Sequence, residues 1–170
     1  AIVNYDYLGG DTGPAGNVDL PAKIVTATAQ QVGPTWGLAY QRGSNRVFAA
    51  AFMKRHVSFV SDGGTGKIFI LNPDGSSVAE FLDLDTLFGP ATAGTDPHPS
   101  GTDLTRDNNN NGANGPLDEA WDAVGKRAFG DMDLSDDELT LYAVNLFDRS
   151  LYSIPLGTDP NVPVAPTNPA

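Results

Sequence analysis

The sequence predicts an all-β fold, and three observations lead to that prediction. Two segments with a similar pattern occur, at residues 36–55 and 129–149. The 170 residues include 19 glycines and 13 prolines, which favour many short strands joined by tight turns. Strand-length apolar runs lie between these turn signals. Hydrophobic residues make up 40% of the chain, which is a globular composition.

Each of the two similar segments has an aromatic residue and a glycine, a short apolar strand, a polar turn, a longer apolar strand and a loop ending in arginine. A repeated β-unit cannot bury its own apolar face, so neighbouring units are expected to stack. With one residue inserted in the second copy, the matching positions are Trp36 with Phe129, Gly37 with Gly130, Phe48 with Tyr142, Ala49 with Ala143, Phe52 with Leu146 and Arg55 with Arg149.

The first half of the chain contains the first predicted unit. Residues 22–28 alternate in polarity and predict a strand that precedes it. The unit itself has predicted strands at 36–40, 46–52, 67–71 and 78–82, with turns at 42–45 and 72–75. The run 46–52 is apolar without alternation, so we expect both of its faces to be covered. We expect the aromatic core to consist of Trp36, Phe48, Phe52, Phe69 and Tyr142.

The second unit repeats this order, with strands predicted at 130–134, 139–145 and 151–154 and a turn at 135–138. Its fourth strand would have to come from the tail or from elsewhere. Residues 85–125 form an insertion rich in Gly, Asp, Asn and Pro. Acidic residues in the first turn predict a short helix at 117–124 within it. The Pro-rich tail 157–170 is typical of a linker.

Four-stranded units of roughly 45 residues are the blades of a β-propeller. The motif Pro-x-Trp-Gly-Leu-Ala-Tyr, followed by Asn-Arg-Val-Phe-Ala-Ala, resembles the blades of NHL-type and lactonase-like propellers. Residues 130–145 are similar to the blades of large bacterial secreted and surface proteins. The resemblance covers residues 34–82 and 129–156. It implies that residues 1–170 form one β domain or a fragment of a propeller, and it says more about fold than about function.

Two blade-like units are fewer than the about four to eight blades of a propeller. An open stack of two blades would leave strand edges unpaired and apolar faces exposed. We therefore expect other chain segments or other subunits to complete the propeller. The alternative is a compact sandwich in which two sheets pack face to face.

Charge and composition exclude several classes of function. The net charge of −11 repels phosphate backbones and argues against nucleic-acid binding. The absence of cysteine excludes disulfides, Cys-ligated metals and thiol catalysis. No apolar run is long enough to cross a bilayer, so we expect no transmembrane segment. Many bacterial surface proteins without cysteine rely on calcium, so we expect an extracellular or cell-surface location.

The sharpest local motif is DNNNNGANGPLD at residues 107–118. Asp107, Asn109 and Asn111 occupy positions 1, 3 and 5 of a calcium loop, and a glycine at position 6 permits the sharp turn. Ala113 would offer its backbone carbonyl at position 7. Asp118 stands at position 12, where an EF-hand has a glutamate, so the loop resembles the isolated calcium loops of extracellular bacterial proteins. The alternative is a solvated Asn-rich loop without a metal.

Two other acidic residues, Asp131 and Asp133, are candidate functional groups. Asp131 and Asp133 flank Met132 on a predicted inner strand, so both point the same way. The inner strands of a propeller line its channel, where carboxylates can hold a metal or act as a base. The first unit has Leu38 and Tyr40 at these places, so no ring of acids is formed. We interpret the two carboxylates as local turn and backbone contacts.

The remaining polar motifs suggest no catalytic set. His56 and His98 are too far apart in sequence to form a metal-binding helix face, and catalysis by His56 has no supporting pattern. Arg55 and Arg149 are expected to form hydrogen bonds between neighbouring units. The glycine-rich segment 63–67 lacks the spacing of a phosphate-binding loop and precedes a strand, so we interpret it as a turn.

The sequence thus favours a non-catalytic extracellular scaffold or binding module of a bacterial surface or secreted protein, stabilised by calcium. Its partners would be the segments or subunits that complete the propeller and an extracellular ligand. The alternative, implied by the resemblance alone, is a calcium-dependent hydrolase of the lactonase-like propeller group. The metal ligands of that group cannot be placed on this chain residue by residue.

Overall fold

The computed structural model describes residues 1–5, 23–55, 57–60, 64–98 and 120–167. The described residues form three antiparallel sheets, and the predicted all-β class is confirmed. The first sheet pairs β1 (Ile2–Tyr5) with β2 (Lys23–Ala27). The middle sheet contains β3 (Thr35–Gln41), β4 (Arg46–Ala51), β5 (Lys67–Leu71) and β6 (Val78–Asp83) in sequence order, and the last sheet contains β7 (Phe129–Leu134), β8 (Thr140–Asn145) and β9 (Ser150–Pro155).

Every strand predicted from residue 22 onward is present, with ends that differ by at most one residue. The predicted turn 72–75 is closed by a hydrogen bond from the Gly75 amide to the Asn72 carbonyl. The turn 135–138 is closed by a hydrogen bond from the Glu138 amide to the Ser135 carbonyl. Within the described residues the last sheet has three strands and gains no fourth strand from the tail.

Among the described residues, three short helical segments connect the sheets: α1 (Ala29–Val32), α2 (Leu84–Phe88) and a 3₁₀ turn, Trp121–Ala123. The 3₁₀ turn lies within the helix predicted at 117–124, whose first three residues are outside the described part of the chain. Part of the Pro-rich tail folds back onto the last sheet. Leu156 is fully buried, and its carbonyl accepts a hydrogen bond from the Val164 amide.

The middle sheet is covered on both sides, as the unbroken apolar run in β4 predicts. On one side, Phe48 and Ala50 belong to a core cluster with Met132 and Leu141 of the last sheet. On the other side, Ala49 belongs to a cluster formed with the first sheet and α1. Because neighbouring strand residues point to opposite sides, β4 contributes to both clusters. The sheets therefore lie in three layers, one more than a two-sheet sandwich has.

The first two strands of the middle and last sheets pair in the same register. Thr35 lies opposite Ala51 and Leu38 opposite Ala49, with an irregularity between them. Phe129 lies opposite Asn145 and Met132 opposite Ala143, with the same irregularity. The Phe52 amide donates to the Pro34 carbonyl just as the Leu146 amide donates to the Ala128 carbonyl. The two hairpins therefore correspond residue by residue without an inserted residue.

This register corrects the sequence alignment in the first strand. Ala49 still corresponds to Ala143, but Trp36 corresponds to Gly130 and not to Phe129. The sequence alignment pairs Gly37 with Gly130 because both are glycines, but a side chain at each position would meet different atoms. A side chain on Gly37 would come 2.7 Å from the Gly130 carbonyl oxygen, whereas one on Gly130 would meet the end of the Leu146 side chain.

The sheets stack in one direction. We refer to the side of a sheet that faces its predecessor in the chain as its front, and to the other side as its back. Ala49 is on the front of the middle sheet, and its counterpart Ala143 is on the front of the last sheet. Each front thus packs on the back of the preceding sheet.

A polar tether joins the β3–β4 turn of the middle sheet to the β7–β8 turn of the last sheet. The Glu138 carboxylate accepts from the Arg42 guanidinium at 2.9 Å and from the Gly43 amide at 2.8 Å. The Gln41 side chain donates to the Glu138 carbonyl at 2.7 Å. Glu138 has a φ of 60°, a backbone conformation that costs about 1–3 kcal/mol for a residue other than glycine. The hydrogen bonds of the tether hold Glu138 in this conformation.

The first prediction concerns the close approach at Gly37. Gly37→Ala places a methyl group against backbone atoms of β7, which cannot move aside, so we expect a loss of about 2 kcal/mol of stability. This corresponds to a fall in Tm of roughly 4–8 °C, measurable by thermal unfolding. Gly130→Ala is the matched control and should cost less, since its neighbour is a flexible side chain. Equal losses for the two variants would contradict the register given above.

The second prediction concerns the pH dependence of the tether. The hydrogen bond from Arg42, followed by that from the Gly43 amide, holds the pKa of Glu138 below its ordinary value. A lowered pKa in the folded state stabilises the protein above the unfolded-state value of about 4.3, and this stabilisation is lost as the pH falls through the folded-state pKa.

Glu138→Gln should therefore be less stable than the parent protein at pH 7, and the difference should shrink as the pH falls below about 4.3. Denaturant unfolding at a series of pH values measures this. Asp122→Asn, which removes an exposed carboxylate outside the tether, is the control. If the difference in free energy of unfolding between the parent protein and Glu138→Gln does not change with pH, the Glu138 carboxylate does not stabilise the fold through its ionised form.

Candidate functional site

A groove of about 450 Å³ lies between the first and middle sheets. The middle sheet contributes Leu38, Tyr40 and Val47 from its front, and the first sheet contributes Ile2 and Val3. The first sheet and α1 cover the front of the middle sheet at Ala49 of β4 and at Phe69 and Leu71 of β5. The Thr26 hydroxyl donates to the Pro73 carbonyl at 2.8 Å on this side. The front of β3 is left exposed at Leu38 and Tyr40.

The apolar residues of the groove come from the alternation of β3. Leu38 and Tyr40 are exposed, and the residues that follow them, Ala39 and Gln41, are buried on the opposite side. On the last sheet the counterpart of Leu38 is Met132, which is buried because the middle sheet covers it. The groove therefore exposes a strand position that is buried on the last sheet.

The polar groups of the groove are few and hydrogen-bonded. The Tyr40 hydroxyl donates to the Asn45 side-chain oxygen at 2.8 Å, and the Thr26 hydroxyl is bonded to Pro73. The described lining residues include no Asp, Glu, His, Lys, Arg or Cys. Apolar walls with a few placed polar groups are typical of ligand-binding sites, and the volume lies within their usual range of about 300–1,000 Å³.

The predicted calcium ligands lie outside the described residues, as does His56. These ligands are Asp107, Asn109, Asn111, Ala113 and Asp118. Within the part of the chain that the structure describes, no three His, Asp or Glu side chains come close enough together to hold a metal ion.

Asp131 and Asp133 lie on the exposed back of the last sheet. Asp131 accepts a hydrogen bond from the next backbone amide, that of Met132, at 3.0 Å, and Asp133 accepts from Leu134 at 2.8 Å. The register makes Gly37 and Ala39 their counterparts on the middle sheet, in place of the Leu38 and Tyr40 that the sequence alignment gave. Both counterparts are buried beneath the last sheet.

The other polar motifs have local structural roles. His98 is buried, with its Nδ1 atom 2.7 Å from the Asp96 carboxylate. Residues 64–67 form the predicted turn, in which the Lys67 amide donates to the Gly64 carbonyl. The pKa of Asp83 is raised by burial, and its carboxylate accepts from the Asp85 amide at the start of α2.

The two matching arginines have different surroundings. The guanidinium of Arg55 lies 4.5 Å from the centre of the Trp121 ring, a cation–π contact with the segment that leads into β7. Arg149 lines an open cleft of about 370 Å³ together with Lys126 and Phe147. Arg55 therefore does contact the next unit, although through an aromatic ring that the sequence pattern did not single out.

Three of the five predicted core aromatics are not in the core. Trp36 and Tyr142 are exposed and Phe52 is half-buried, whereas Phe48 and Phe69 are buried as predicted. The centres of the Trp36 and Phe52 rings lie 5.7 Å apart near the edge of the middle sheet, with the rings tilted by 36°. The sequence also gave no sign that Leu38 and Tyr40 would line a groove, because an apolar alternating strand has the same pattern whether or not its front is covered.

No known protein family, curated protein or solved structure matches the chain. Among the described residues, no helix is both long and apolar enough to span a membrane.

Proposed function

We propose that the three sheets are blades of a β-propeller and that the chain serves as a non-catalytic extracellular scaffold or binding module of a bacterial surface or secreted protein. The stacking direction supports the blade assignment. In a propeller each blade packs one side on the next blade in a constant order, and the Ala49 and Ala143 fronts follow that order. Other chain segments or subunits would complete the ring.

The observation that carries the binding function is the composition of the groove. Leu38, Tyr40 and Val47 offer a largely apolar surface between two sheets, and the described lining residues include no carboxylate, imidazole, amine or thiol. Such a site supports binding of a ligand by apolar contact and a few hydrogen bonds. We infer a ligand with an apolar or aromatic body, bound between the first and middle sheets.

The alternative function is a calcium-dependent hydrolase of the lactonase-like propeller group. Asp131 and Asp133, which lie on one exposed side, are the described carboxylates that such a centre could use. Their hydrogen bonds to adjacent amides are those of structural side chains, which favours the binding module. The alternative requires hydrolysis of a lactone or ester that depends on calcium and on these two residues.

Calcium is proposed as a structural ion in the loop 107–118. Asp107, Asn109, Asn111, the Ala113 carbonyl and Asp118 would supply oxygen ligands, the kind that calcium prefers. With only two carboxylates, the affinity would lie in the extracellular range of about 10⁻⁴–10⁻³ M.

The third prediction tests the groove with an apolar fluorescent dye, anilinonaphthalene sulfonate, as the probe. Dye binding should saturate at one site, and Leu38→Asp should weaken it about tenfold because it places a charge on the apolar wall. Val162→Asp, at a similarly exposed apolar residue away from the groove, should leave dye binding unchanged. If both variants weaken dye binding equally, the groove is not the binding site of the dye. Calcium-dependent lactone hydrolysis that is lost in Asp131→Asn or Asp133→Asn would instead establish the hydrolase.

The fourth prediction tests the calcium loop. At 10 mM calcium a site of this affinity stabilises the fold by about 1.4–2.7 kcal/mol, so a chelator should lower Tm by roughly 3–10 °C. Asp107→Ala and Asp118→Ala should remove this response to chelator. Asp159→Ala is the control, because the Asp159 carboxylate bonds to Asn161 in another turn. If Tm is the same with and without chelator, calcium does not stabilise the fold.

A further inference from the structure

A second cleft, of about 370 Å³, lies between the loop that follows β8 and the turn that precedes β7. Lys126 comes from the turn, Phe147 and Arg149 come from the loop, and Val144 comes from the end of β8. The Phe147 and Val144 side chains are 49 and 36% exposed. The cleft therefore combines two cationic side chains with an apolar wall.

The charge of this cleft is opposite to that of the chain as a whole. The chain has 21 acidic and 10 basic residues, yet the described lining residues include two cations and no Asp or Glu. Within the described part of the chain, neither the Lys126 nor the Arg149 side chain has a hydrogen bond or ion pair. The carboxylate next to Arg149, that of Asp148, accepts from the Ser150 amide at 2.9 Å and from the Tyr152 hydroxyl at 2.7 Å. Both cations are therefore available to an anion.

Hydrogen bonds hold the two walls of the cleft in place. Asn145 is fully buried, and its side-chain nitrogen donates to the Thr92 carbonyl at 3.0 Å. Its side-chain oxygen accepts from the Phe147 amide, also at 3.0 Å. The turn on the other wall is closed by a hydrogen bond from the Lys126 amide to the Ala123 carbonyl. Because the walls are fixed before a ligand arrives, binding orders little additional chain.

The matching arginine of the middle sheet shows what a guanidinium at this position contacts. Arg55 lies three residues after Phe52, and Arg149 lies three residues after Leu146, its counterpart in the hairpin register. The Arg55 guanidinium lies 4.5 Å from the centre of the Trp121 ring. Among the described residues, no ring takes the corresponding place at Arg149. An aromatic ring is therefore the group that fits this guanidinium.

We propose that this cleft binds a small aromatic carboxylate. The ring of the ligand lies on the Arg149 guanidinium and against Phe147, as the ring of Trp121 lies on Arg55, and its carboxylate pairs with Lys126. The site is separate from the groove between the first and middle sheets, whose described lining residues carry no charge. It therefore takes a different class of ligand.

The experiment titrates the 170-residue chain with 2-naphthoate and follows the backbone amide signals by NMR. We expect a Kd of about 1 mM, with the largest shifts at the residues that line the cleft. Acetate has the anion without the ring, and 2-naphthylmethanol has the ring without the anion, so each should bind at least fivefold more weakly. No binding of 2-naphthoate at about 10 mM, or equal binding of either matched compound, would overturn the proposal.

Substitutions of the two cations locate the site. Lys126→Gln and Arg149→Gln should each weaken 2-naphthoate binding about three- to fivefold, the effect of one exposed charge or cation–π contact. Arg149→Lys keeps the charge without the planar guanidinium and should still weaken binding about threefold. Arg46→Gln on the middle sheet makes the same change in net charge and should have no effect. Equal effects of Arg46→Gln and Arg149→Gln would show that net charge alone is responsible, which contradicts a site at this cleft.

Further measurements separate this cleft from the groove. Lys126 and Arg149 are exposed, so their variants should keep the Tm of the parent protein, which thermal unfolding checks. The dye that probes the groove is itself an aromatic anion, so its titration is repeated in the double variant Lys126→Gln with Arg149→Gln, where binding in the groove should persist. Leu38→Asp should leave 2-naphthoate binding unchanged. If Leu38→Asp abolishes it, 2-naphthoate occupies the groove, and this inference is wrong while the proposed binding function stands.

Discussion

The close approach of β3 to β7 is the constraint on which the remaining architecture depends. A side chain at Gly37 would come 2.7 Å from the Gly130 carbonyl, so this contact requires glycine. The approach brings the back of the middle sheet onto the front of the last sheet, where Phe48, Met132 and Leu141 share one core. It also places the turns of the two hairpins side by side, so that Glu138 in the β7–β8 turn can accept a hydrogen bond from Arg42 in the β3–β4 turn. Stacking direction, core and tether thus follow from one backbone contact.

The strands could be predicted from the sequence because their signals are local. Apolar periodicity and the turn residues Asn72 to Gly75 depend on near neighbours, and these predictions agree with the structure to within one residue at each strand end. The residue correspondence between the hairpins depends on pairing across strands. Gly37 and Gly130 look alike in sequence, yet one accommodates a backbone and the other a side chain, so matching by residue type shifted the first strand by one position.

The groove could not be predicted for a related reason. Leu38 and Tyr40 alternate with buried residues as core residues do, and only the placement of the first sheet decides that they are exposed. The same pattern predicts a core position for Trp36, which lies on the surface. The pattern of a strand specifies which residues share a side, whereas coverage of that side depends on residues far away in sequence. A site formed by partial coverage therefore has no local signature.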